Sequence, residues 1–128
     1  MGLVKSMARE MIKEIGNKSR EFYEFVLPPM DMYLDEEKLT LVVDMPGFDK
    51  KDIKLSLEDN ILSIQACKEI SEDKKHEMIC NQRPNIIDKK MRLPIEAKEE
   101  SVTSAKYDQG ILTITIPIQK HGKDIKID

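Results

Sequence analysis

The sequence predicts an all-β protein: an antiparallel β-sandwich with a helical N-terminal arm and an extended C-terminal tail. Two changes of pattern carry this reading. Apolar residues recur at three- to four-residue intervals before Pro28, then at every second position from Leu39 onward. The alternating runs, about seven in all, are short and spaced by turn chemistry roughly every 8–12 residues, with no helical pattern between them. That arrangement suits a sandwich better than a parallel sheet. At 128 residues the chain can bury one core without a metal or disulfide framework.

The arm, residues 1–28, places Val4, Met7, Met11, Ile15, Phe22 and Phe25 at helical spacing among Lys, Arg and Glu. A break in this helix is expected near Gly16-Asn17. Pro28-Pro29 removes two backbone donors and holds the preceding residues extended, so the arm ends there. The sandwich spans residues 29–117. Leu39, Leu41 and Val43 share one strand face, and Pro46-Gly47 supplies a turn. Ile53, Leu55 and Leu57 alternate with Lys54, Ser56 and Glu58, and Asp59-Asn60 turns the chain into a strand with Leu62, Ile64 and Ala66 on one side. Lys68 to Gln82 is rich in charge and reads as a solvated loop, with room for a short strand around Met78–Cys80. Ile87, Met91 and Leu93 are in phase on a strand that Pro94 ends. Val102 to Tyr107 and Ile111 to Ile116 flank a glycine-containing hairpin turn, with Leu112, Ile114 and Ile116 facing inward. The tail, residues 118–128, is polar except for Ile125 and Ile127, which alternation puts on one side of an extended segment.

Composition excludes several functions. A net charge of −3 and a pI near 5.5 argue against binding through counterion release from nucleic acid, and 5% aromatics with no Trp argue against base stacking. No stretch approaches the ~18 apolar residues of a membrane span. Lys5, Arg9, Lys13, Lys18 and Arg20 suit an interfacial helix, but Glu10, Glu14 and Glu21 offset that attraction. Cys67 and Cys80 fit neither a redox nor a zinc spacing; they either pair or remain as free buried thiols, the reading favoured for a cytoplasmic, reducing compartment. His76 and His121 stand in polar contexts without a local triad or metal motif, and there is no phosphate-binding glycine loop. No enzyme activity, cofactor or metal is therefore expected.

Several segments together resemble the small heat shock proteins, the α-crystallin-type chaperones. They are Asp44-Met45-Pro46-Gly47-Phe48, Asp52-Ile53-Lys54-Leu55 and Asp59-Asn60-Ile61-Leu62-Ser63-Ile64, followed by Arg92-Leu93-Pro94, Ala105 with Gly110-Ile111-Leu112, and the terminal Ile125-Lys126-Ile127. The order and spacing are specific jointly, although Met91 stands where the family often has an aromatic residue. The resemblance implies an immunoglobulin-like sandwich, the α-crystallin domain, that forms dimers and then a large homo-oligomer. It implies that Ile125 and Ile127 dock into a groove of another subunit, here formed by Ile53, Leu55, Leu57, Val102 and Ala105. It also places Arg92 near the dimer interface, with Met78 and Ile79 in the loop, within about Glu72 to Gln82, that carries an exchanged strand. The implied function is ATP-independent holding of partly unfolded client proteins, with Val4, Met7, Met11, Ile15, Phe22 and Phe25 as client-binding residues. Methionine suits that duty because it is flexible and polarizable. The alternative is a co-chaperone sandwich that docks on a larger ATPase; it leaves Ile125 and Ile127 without a task.

Overall fold

Alternation along Lys38–Asp44 produces the central strand β2, whose Leu39, Leu41 and Val43 are buried while Thr40 and Val42 between them are half-buried and the end residues exposed. In the computed structural model, which describes residues 2–69, 75–97, 103–119 and 125–128, β2 lies between β1 (Met30–Leu34) and β7 (Ile111–Pro117). The strand β6 (Ser104–Asp108) completes an antiparallel four-stranded sheet in the order β1-β2-β7-β6. A second, three-stranded sheet has the order β3-β4-β5, from Ile53–Glu58, Ile61–Cys67 and Ile86–Arg92. The inward residues of both sheets form one core in which Leu41, Val43, Ile64, Ile114 and Ile116 are fully buried, so the architecture is a β-sandwich.

The turns follow from local chemistry. Asp59 and Asn60 both have positive φ, 51° and 65°, as a two-residue hairpin of the β3–β4 type demands. Asn60 does more than turn the chain. Its side-chain amide donates to Ile95 O and its Oδ1 accepts from Ala97 N–H at 2.8 Å, holding the segment that follows β5. Gly110, at φ 78°, ends the β6–β7 turn; a Cβ there would lie 3.1 Å from Pro46 Cα, so glycine lets the Pro46-Gly47 turn pack against it. Asp35 closes the β1–β2 hairpin by accepting from the N–H groups of Glu37 and Lys38, at 2.7 and 2.8 Å. Those bonds hold its carboxyl below the usual carboxylate range.

Three expectations are corrected. The helix α1 runs unbroken from Gly2 to Val26, because Gly16 serves a close approach instead of a break. Residues 75–85 contain no strand, so the expected one at Met78–Cys80 is absent; β1 supplies the seventh strand among the described residues. Cys67 and Cys80 are free, as favoured, but exposed instead of buried.

Candidate functional site

The arm presents its apolar face because its polar face is already engaged. Arg9, Lys13, Gly16, Arg20 and Glu24 recur at helical spacing and so share a stripe of α1. Arg9 and Lys13 both pair with Glu77, and Glu24 accepts a hydrogen bond from Asn85 N–H at 3.1 Å. Between these anchors Gly16 is buried, and a Cβ on it would meet Asn81 N at 3.1 Å and Cys80 Sγ at 3.3 Å. The hydrogen bond from Lys13 and the nearby Arg9 charge together hold the Glu77 carboxyl below its usual range. α1 thus lies along the 77–85 segment by its charged side. On the other side Val4, Met7, Met11, Ile15, Phe22 and Phe25 remain exposed, Phe25 by 80%.

Four of the five predicted tail-accepting residues are described, and these lie on edge strands. Ile53, Leu55 and Leu57 share one face of β3, the edge of the three-stranded sheet, where they are half-buried against the core. Ala105 lies on β6, the edge of the other sheet, and is exposed; Val102 lies outside the described residues. Each edge strand keeps one row of backbone donors and acceptors open for pairing. Tyr107 ties β6 to the loop feeding β3, since its hydroxyl lies 2.6 Å from Met45 O and 2.9 Å from Phe48 O. Ile125 and Ile127 are 87% and 91% exposed, so they are not folded back onto their own sandwich.

Arg92 ends β5, the other edge of the three-stranded sheet, opposite Ile61. It is exposed, and its side chain makes no hydrogen bond or ion pair among the described residues. Met78 is exposed and Ile79 half-buried, both in the non-strand segment beside α1. Sequence reasoning missed Glu77, Gly16 and Tyr107 as organising residues. Their partners are distant in the chain, and no local periodicity marks them. Among the described residues no group of His, Cys, Asp or Glu is placed to hold a metal ion, and no helix is long and apolar enough to cross a membrane.

Comparison with known proteins agrees with this architecture. Residues 31–128 match the model of the Hsp20/alpha crystallin family. Small heat shock protein C2 of Rickettsia felis is 30% identical over 119 residues, 84% of this chain and 77% of that protein. A probable 15 kDa heat shock protein of Leptospira interrogans is 32% identical over 101 residues, 79% of this chain and 77% of that protein. Among solved structures, a mutant of hsp14.1 from Sulfolobus superimposes with a TM-score of 0.73 at 40% identity, covering 94% of this chain and 97% of the other. A small heat-shock protein from Xylella fastidiosa, at 23% identity and a TM-score of 0.63, shares the fold. With two antiparallel sheets, an N-terminal helix and a family match over most of its length, the chain belongs to the Hsp20/alpha crystallin family, the small heat shock proteins.

Proposed function

We propose that this protein is an ATP-independent holding chaperone, working as a dynamic oligomer of dimers that covers exposed apolar surface on partly unfolded proteins. One observation carries the reading: α1 engages its own subunit through charge and leaves its apolar stripe outward. Such a surface calls for a partner, and we assign it to another polypeptide, either a second subunit or a client. Methionines at positions 7 and 11 let that stripe adapt to varied partners. Ile125 and Ile127 have the same need, and the half-buried Ile53, Leu55 and Leu57 beside the β3 edge are the surface we assign to them on a neighbouring subunit. Arg92, Met78 and Ile79 are assigned to the dimer contact, on the strength of an open β5 edge and an exposed adjoining loop. Free, exposed Cys67 and Cys80 fit a reducing cytoplasmic compartment.

The test is size-exclusion chromatography of a thermolabile client after heating with this protein, in the absence of nucleotide. Holding predicts a soluble complex containing both chains. Client lost to the pellet at every ratio, or retained only when an ATPase chaperone and ATP are added, would overturn the proposal.

A further inference from the structure

At the joint between arm and sandwich is a cavity of about 340 Å³ that neither the arm stripe nor the strand edges account for. Its walls are apolar, built from Leu27, Pro28, Met45, Phe48, Pro84 and Ile87. Two cations stand at it. A Cβ placed on Gly47 would lie 3.0 Å from Arg83 Nη2 and 3.1 Å from Lys68 Nζ, so both tips converge over one glycine. No carboxylate among the described residues forms an ion pair with either. The Lys68 ammonium instead sits 4.7 Å from the centre of the Phe48 ring. Burial, and then the Arg83 charge, push its pKa down. Like charges brought together beside an apolar wall are relieved by an anion between them.

An apolar cavity of this size with a few convergent polar groups is the usual form of a small-molecule site. We propose that it binds a small monoanionic amphiphile, a short hydrocarbon chain bearing one carboxylate. The chain lies between Leu27, Pro84 and the edge of Phe48, over the buried Met45 and Ile87, and the carboxylate accepts charge-assisted hydrogen bonds from Lys68 and Arg83. The choice of a single charge follows from the surroundings. Asp44 also lines the cavity, and Asp49, Asp52 and Glu69 share an adjoining polar cleft with Lys68, so a doubly charged head meets repulsion that a single carboxylate largely avoids.

The experiment uses the full chain with labelled Met and Ile methyl groups, titrated by NMR with sodium octanoate, 1-octanol or octyl phosphate. Octanoate is expected to shift Met45 and Ile87 saturably, about tenfold more tightly than octanol, because octanol lacks the charge. Lys68→Met together with Arg83→Gln is expected to erase that preference while leaving octanol binding in place. Lys68→Gln alone serves if the double variant misfolds, with the Ile114 and Ile116 signals reporting an intact core. Equal binding of octanol and octanoate, tighter binding of octyl phosphate, or shifts confined to Met7 and Met11 of the arm would overturn the assignment. So would the absence of any saturable shift at Met45.

Discussion

Truncating both tail isoleucines, Ile125→Ala with Ile127→Ala, separates assembly from folding. At 87% and 91% exposure neither side chain contributes to its own subunit's core, so almost all of its apolar surface is available for burial on a neighbour. Each truncation removes three carbons. At ~0.8 kcal/mol per buried CH₂ that is about 2 kcal/mol each, and about 4–5 kcal/mol for a fully docked pair. Because each 1.4 kcal/mol is a factor of ten, the affinity of one tail for its groove should fall roughly a thousandfold. A single tail is too weak to hold a subunit against an association cost of ~4–15 kcal/mol, so the proposed oligomer requires several tails acting together on a dimer. Multi-angle light scattering over a dilution series, with subunit exchange followed by energy transfer between labelled chains, reads both quantities. The expected result is a particle reduced toward the dimer, while the free energy of urea unfolding of the sandwich changes by less than about 0.5 kcal/mol. An unchanged particle mass and exchange rate would refute tail docking. Loss of sandwich stability would instead mean that the tail is part of its own subunit's fold.

Other perturbations test the remaining contacts. Tyr107→Phe removes the hydroxyl shared by Met45 O and Phe48 O, and should cost about 1–2 kcal/mol in urea unfolding; an unmoved midpoint would deny Tyr107 its anchoring role. Gly16→Leu places a side chain where Asn81 N and Cys80 Sγ already stand, so α1 should lift from the 77–85 segment and lose hydrogen-exchange protection, with the sandwich strands unaffected. The carboxyl of Glu77 has its pKa lowered from 4.5, so its pairing with Lys13 and Arg9 is complete above that value and is lost as pH falls through the lower, folded value. Limited proteolysis of the arm should accordingly be constant from neutral pH down to about 4.5, then accelerate below it; raised salt at neutral pH should also accelerate it. Cleavage indifferent to both pH and salt would show that Glu77 does not hold the arm.

The sandwich was legible wherever one strand face is buried and the other is not. Leu39, Leu41 and Val43 in β2, Leu62, Ile64 and Ala66 in β4, and Leu112, Ile114 and Ile116 in β7 announce their strands because the core imposes a period of two. β1 escaped because that pressure is absent: four of its five side chains are exposed, and it is held by backbone pairing to β2. Gly16 was misread for a different reason. Intrinsic propensity disfavours glycine inside a helix, but here the missing Cβ lets α1 approach Asn81 and Cys80, and tertiary packing outweighs propensity. The apolar stripe of the arm was readable from spacing alone. That it faces outward was not, because the orientation is set by Glu77 and Asn85, more than sixty residues away from their partners in the chain.

The proposed activity is the prevention of aggregation by covering apolar surface, without a nucleotide cycle. Its most direct test is light scattering of a heat-aggregating client against increasing amounts of this protein, with no nucleotide present. A holding chaperone should suppress the scattering, completely near a stoichiometric ratio of subunits to client. Scattering that rises unchanged at every ratio and temperature, or that falls only when ATP and a partner ATPase are supplied, would contradict it.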